Sequence, residues 1–252
     1  MGRTLFLIHG MWGGAHLWTN YRSFFEERGH TCHAPTLRHH DVPPQAPPPE
    51  GLGVTSLLDY AADLEAQIRA LPERPVVVGH SMGGILAQIL ASRGLCEKAV
   101  LLTPAAPRGV LALRLSVIRS FWSAMTTWGF WRKPFKITYA EAVYSMMELL
   151  PEDERRKAYA QFVHESGRAA FEIGFWLLDG RRAAEVDEKM VTCPVLVVAG
   201  GRDRITPAAV VKNVAKKYGA PCKVFPEHAH WVLQEKGWED VARFVAEWIE
   251  AP

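Results

Sequence analysis

The run Pro75-Val76-Val77-Val78 passes without a linker into Gly79-His80-Ser81-Met82-Gly83-Gly84, and the helix-forming stretch Ile85-Leu86-Ala87-Gln88-Ile89-Leu90 follows at once. A β-branched strand that turns directly into a helix requires a sharp, strained turn, here with a serine at its apex. Residues two before and two after that serine must be small, and Gly79 and Gly83 meet the demand. The turn lifts the Ser81 hydroxyl above the sheet edge. The helix behind it aims its first amide, Met82 N–H, and the positive end of its dipole at any oxyanion formed there. Two glycines and a serine at this spacing arise by chance about once in several hundred to a thousand residues. The strand before and the helix after separate a catalytic turn from such a match.

The same alternation runs through the chain. Apolar runs predict strands at 4–8, 31–34, 75–80 and 98–103, with helices at 17–28, 55–70 and 82–93 between them. A second set follows late, with strands at 195–199 and 222–225 and helices at 207–218 and 238–250. Such alternation builds βαβ units and a parallel sheet. The 252 residues, 48% of them hydrophobic, suffice for one α/β domain with an insertion. The expected division is a core of 1–106 and 191–252, with a helical cap, 107–190, inserted in it.

The middle segment has its own texture: no β-branched runs, and helical periodicity broken at Pro134 and Pro151. Trp122, Trp128, Phe130, Trp131, Phe135, Tyr139 and Tyr144 cluster there. Apolar substrate contact and ordinary helical core are the two readings of that cluster. Leu111–Trp131 has features of an interfacial helix, but Arg114 and Arg119 interrupt it, and cap packing is the expectation. The proline-rich stretch 41–51 sustains neither ladder nor helix and is expected to border the active-site face as a loop.

Charge narrows the partners. Twenty-nine basic and 27 acidic residues, scattered along the chain, offer no block for nucleic acid. Cys32, Cys96, Cys193 and Cys222 form no C-x-x-C pair, so neither a zinc site nor a redox motif is indicated, and buried or isolated thiols are expected. No apolar segment is long enough for a signal peptide or a stable membrane insertion, and Phe6 stands where a myristoylation signal needs Ser or Thr. A cytoplasmic protein acting on a small molecule is the expectation.

A serine hydroxyl needs a base to take its proton and an acid to orient that base. In the order serine, acid, histidine, the acid candidate is Asp203, in Gly200-Gly201-Arg202-Asp203 just after the strand at 195–199. The flanking Arg202 and Arg204 would help keep it ionised. Two histidines, His228 and His230, follow the last strand, and their spacing gives only a mild preference for His230. A second oxyanion donor is expected from the loop after the first strand, His9-Gly10-Met11-Trp12-Gly13-Gly14, with Met11 N–H the candidate beside Met82. Trp12, Trp122, Trp128 and Trp231 are the candidates for substrate contact.

The His9-Gly10 loop, the Ser81 turn, Asp203 after the penultimate strand and a late histidine together resemble the α/β-hydrolase superfamily over essentially the whole chain. The run His9-Gly10-Met11-Trp12-Gly13-Gly14-Ala15-His16-Leu17-Trp18 is further similar to the H-G-x-x-x-G-A-x-x-W opening of plant methylesterases and hydroxynitrile lyases. In that superfamily the catalytic histidine often stands five residues before a glutamate, as His230 does before Glu235. The glycine that commonly precedes it is here Ala229. The resemblance implies an α/β fold with about six mostly parallel strands, helices on both faces, and an active site between core and cap that uses no metal and no organic cofactor. It also implies hydrolysis of a carboxylic ester through an acyl-enzyme on Ser81. Thioester, amide and carbon–carbon bonds stay open as alternatives, as does a ligand receptor. So does hydroxynitrile lyase chemistry, whose enzymes usually carry a lysine near the acid–histidine loop, where this chain has Lys236.

Overall fold

Side chains along the strands divide evenly between two layers, and that division sets the architecture. In the computed structural model, which describes residues 2–251, Leu5 and Leu7 of β1 (Thr4–Ile8) join one buried cluster, and Phe6 and Ile8 join the other. Val76 and Val78 of β3 (Val76–His80) divide from Val77 in the same way. Strands buried on both faces read as continuous apolar runs, which is the signature of a parallel sheet covered by helices.

Six strands form that sheet, in the order β2-β1-β3-β4-β7-β8 with every pair parallel; the remaining four are β2 (Thr31–His33), β4 (Lys98–Leu102), β7 (Val195–Gly200) and β8 (Cys222–Phe225). Helices α2 (Leu57–Arg69), α3 (Met82–Ser92) and α9 (Ala208–Lys217) cover one face. Helices α1 (Thr19–Glu26) and α10 (Trp238–Glu250) cover the other. The chain leaves β1 toward β2 on one side and returns to place β3 on the other. The loops after β1 and β3 therefore part at a topological switch point, where open α/β sheets bind ligands.

Between β4 and β7 the chain inserts α4 (Leu115–Ser120), α5 (Trp122–Met125), α6 (Tyr139–Ser145), α7 (Glu152–Ala160) and α8 (Gly167–Gly174). It also holds a short antiparallel pair absent from the sequence reading, β5 (Pro134–Phe135) with β6 (Glu165–Ser166). Two-residue strands, one of them opened by a proline, leave no alternating pattern to read.

Buried polar groups tie the insertion to the sheet. Glu172 of α8 accepts hydrogen bonds from Ser56 Oγ, Leu57 N and Arg168 Nε, so a carboxylate from the insertion serves the N-terminus of α2 beside that helix's own Ser56–Asp59 capping box. His40 donates from Nδ1 to Arg38 O (3.0 Å) and from Nε2 to Glu165 (3.0 Å), which also accepts from Tyr60 Oη. Burial opposes charge on His40, but the Glu165 carboxylate and both hydrogen bonds outweigh it and raise its pKa above the ordinary histidine value.

The four cysteines are free. Cys96 is buried and the other three are half-buried, in line with the expectation of buried or isolated thiols; Cys96 and Cys193 are neighbours near the N-terminal ends of β4 and β7, and their interaction raises the pKa of the first and lowers that of the second. No helix among the described residues is long and apolar enough to cross a membrane.

Candidate active site

Ser81 adopts φ 56° and ψ −118°, in the region L side chains rarely enter. Its amide donates to Leu102 O (3.1 Å), and its carbonyl accepts from Gly84 N and Ala105 N (both 2.9 Å), so the strained apex is held on three sides. Close backbone approach explains the two glycines. A Cβ at Gly79 would lie 2.1 Å from Gly83 O, and one at Gly83 would lie 2.1 Å from Ile8 O.

The loop after β1 reaches the same point. A Cβ on Gly10 would come 2.9 Å from Ser81 Cβ, so only glycine lets this loop lie against the nucleophile. His9 fixes the loop's course by donating from Nδ1 to Gly10 O (2.8 Å) and accepting at Nε2 from Leu37 N (3.0 Å). Burial and the nearby His40 charge lower its pKa to about 3, which keeps the imidazole neutral. The next residues bring Met11 and Trp12 over the sheet edge, Trp12 with φ 60°. Met82 is the first residue of α3 and its amide has no intrahelical acceptor, so both expected oxyanion donors lie on the two backbone segments that meet at Ser81.

Asp203 and His230 meet across the ends of β7 and β8. His230 Nδ1 donates to Asp203 Oδ2 at 2.8 Å, and both side chains are fully buried. The other carboxylate oxygen accepts from Ile205 N (2.9 Å) and Thr206 N (2.8 Å). The Thr206 hydroxyl stands 2.7 Å from Oδ2, 3.0 Å from Thr103 O and 3.2 Å from His230 Nδ1. With Nδ1 donating, Nε2 is the nitrogen left with a lone pair, and it has no protein partner among the described residues.

Neither arginine beside Asp203 forms an ion pair or hydrogen bond with it. Arg202 pairs with Glu227, while Arg204 donates to Tyr144 O (3.0 Å) and stands 3.5 Å from Glu148. The hydrogen bonds that hold the Asp203 carboxylate come from backbone amides, the Thr206 hydroxyl and His230.

His228 donates from Nδ1 to Glu235 (3.0 Å), and Glu235 also accepts from Ala229 N. The glutamate five residues beyond His230 thus braces its loop through His228, not through His230. His80, within the serine turn, donates from Nε2 to the His230 carbonyl (2.9 Å), and the two rings lie 4.9 Å apart. This contact joins the nucleophile's turn to the histidine's loop. Burial, with the His230 charge next, lowers the His80 pKa to about 3.

Of the tryptophans, Trp12 and Trp231 lie at the site. Phe121, Phe135 and Phe162 of the insertion pack around Trp12 at 5.9, 5.6 and 6.2 Å, and Phe162 reaches Trp231 at 5.8 Å. The structure places Trp122 and Trp128 elsewhere. They are 60% and 85% exposed, and Trp128 packs on Trp131 instead of the Trp12 cluster. Helical position explains the exchange: Phe121 turns inward and its neighbour Trp122 turns out. Lys236 is exposed.

Glu148, from the loop between α6 and α7, had no signal in the sequence. Neither carboxyl oxygen is accessible to solvent or hydrogen-bonded among the described residues. Burial pushes its pKa up to about 7 against the opposing Arg204 charge, and it lies close enough to Asp203 and His230 to feel both.

A serine at a strand–helix elbow, a buried aspartate–histidine pair after later strands, and a parallel sheet beneath an insertion define an α/β hydrolase. The model of the alpha/beta hydrolase family matches residues 5–244, and the chain belongs to that family. It is 26% identical over 241 residues to Protein ABHD8 of Bos taurus, covering 92% of this chain and 52% of that protein, so it spans about half the length of this relative. Among solved structures it is similar to the methylesterase MES16 of Arabidopsis (TM-score 0.74, 11% identity, 98% of both chains). It is likewise similar to a pyrethroid hydrolase of Sphingobium faniae JZ-2 (TM-score 0.71, 17% identity, 100% of this chain and 99% of that one). Identities this low show the shared fold alone.

Proposed function

We propose that the protein is a serine esterase that cleaves the carboxylic ester of an apolar small molecule. The observation that carries the reading is the His230–Asp203 pair: Nδ1 is committed to the carboxylate, and a bare Nε2 lies in the loop that His80 joins to Ser81. In the proposed reaction Nε2 takes the Ser81 proton as Oγ attacks the ester carbonyl, and the Met11 and Met82 amides receive the oxyanion. The protonated His230 then gives its proton to the leaving alcohol, and water hydrolyses the acyl-enzyme by the same steps. Asp203 holds the imidazole in the required tautomer and stabilises its cation. The ring cluster of Trp12, Phe121, Phe135, Phe162 and Trp231 supports an apolar acyl or alcohol portion. The names of the similar structures, a methylesterase and a pyrethroid hydrolase, agree with ester chemistry.

A panel of chromogenic esters of increasing acyl length, run on the native chain and on Ser81→Ala, tests this. The variant loses roughly 10⁵–10⁶-fold in kcat, and the native chain prefers longer or aromatic acyl groups. Near-native turnover by Ser81→Ala, or a preference for small charged esters, contradicts the proposal.

A further inference from the structure

Six of the ten exposed large apolar side chains among the described residues fall between Leu111 and Trp128, with Leu115 87% and Trp128 85% exposed. The same stretch is charged with one sign. From Arg108 to Ala140 the sequence holds six basic residues and no acidic one. Four of these, Arg114, Arg119, Arg132 and Lys133, are exposed. None of the four pairs with a carboxylate among the described residues, although arginines elsewhere on the surface do so repeatedly.

We propose that this strip of the insertion, Leu111 to Lys133, is a docking face for an anionic lipid surface. Leucine and tryptophan side chains standing out beside unpaired arginines suit the boundary between headgroups and acyl chains, where the apolar groups enter and the cations meet phosphate. Helices α4 and α5, of six and four residues, are too short to span, so the contact is peripheral. A second copy of the chain is the poorer occupant, since a twofold interface would press like charges together with no acid to answer them. The strip's inner side carries Phe121 onto Trp12, 5.9 Å away in the loop beside Ser81, so a docked molecule holds its active-site entrance near an apolar, water-excluding surface. The docking stands independently of the bond that Ser81 cleaves.

Flotation of the full chain with vesicles of phosphatidylcholine alone, and of phosphatidylcholine mixed with phosphatidylglycerol, is the test. The chain binds the mixed vesicles, its tryptophan emission shifts to the blue, and about 1 M salt releases it. Arg114→Glu weakens partitioning by at least roughly fivefold, the worth of one cation near such a surface. Leu113→Asp with Leu115→Asp abolishes it, while turnover of a soluble short-chain ester is kept. Absence of binding to mixed vesicles overturns the proposal, as does equal binding to both kinds that Arg114→Glu leaves unchanged. A dimer by light scattering that the double variant dissociates, with no vesicle binding, assigns the face to a second copy instead.

Discussion

Both late histidines commit Nδ1 to a carboxylate, so position separates them: the His230 ring lies 4.9 Å from the His80 ring of the serine turn, whereas the His228 ring packs on Phe225, 5.6 Å away. His228 spends Nδ1 on Glu235 and keeps the loop's course. Accordingly His230→Ala abolishes ester turnover in the folded protein. His228→Ala lowers stability by about 1–3 kcal/mol, the cost of leaving the Glu235 carboxyl short of a donor, and leaves kcat within a few-fold. Steady-state kinetics beside urea melts distinguish the two. Ser81, Asp203 and the late histidines were legible because turns after parallel strands impose local residue types. Thr206 had a weaker signal, three residues after Asp203 at a helix entry. Glu148 had none, since it arrives from a distant loop. Its pKa of about 7, against 4.5 when unfolded, means the folded chain keeps a proton between those values that the unfolded chain releases. The associated stability is full below pH 4.5 and is lost as pH rises through 7. Glu148→Gln, which cannot ionise, therefore gains on the native chain between pH 5 and pH 8 when their Tm values are compared. A difference independent of pH would contradict this.

At the scale of elements, the strand–helix alternation was readable to within two residues at each end, because a strand buried on both faces needs an unbroken apolar run and each covering helix needs one apolar side. The insertion resisted reading for the opposite reason. Its helices are short, its two-residue strands carry no period, and its attachment depends on polar side chains that meet across more than a hundred residues. Glu172 shows how much rests on one such group: it serves Ser56, Leu57 and Arg168 in a site closed to water. Glu172→Ala leaves Ser56 Oγ, Leu57 N and Arg168 Nε without their acceptor, while the Arg168 guanidinium keeps Asp179, and costs about 2–4 kcal/mol, measurable as a lowered urea midpoint. Limited proteolysis then cuts first within 107–190, while the sheet strands remain protected.

For the whole molecule, the buried imidazoles of His9 and His80 link folding to pH. Each is lowered from 6.5 to about 3, so the unfolded chain takes up two protons, as pH falls through 6.5, that the folded chain refuses. The stability they supply is complete above pH 6.5 and declines as pH falls toward 3. Their ring resonances should stay unshifted by NMR from pH 8 to pH 4 while the urea midpoint falls; titration of either ring near 6.5 would contradict the buried, neutral assignment. These histidines, the glycines at 10, 79 and 83, and the Asp203–His230 pair bring loops from β1, β3, β7 and β8 to one point, and the account rests on the claim that this point is an activated serine. Intact-mass analysis after reaction with a fluorophosphonate tests it most directly. One adduct per chain, mapped to Ser81 and lost in His230→Ala, is the predicted result; no adduct, or labelling of Ser81 that His230→Ala leaves unchanged, would contradict it.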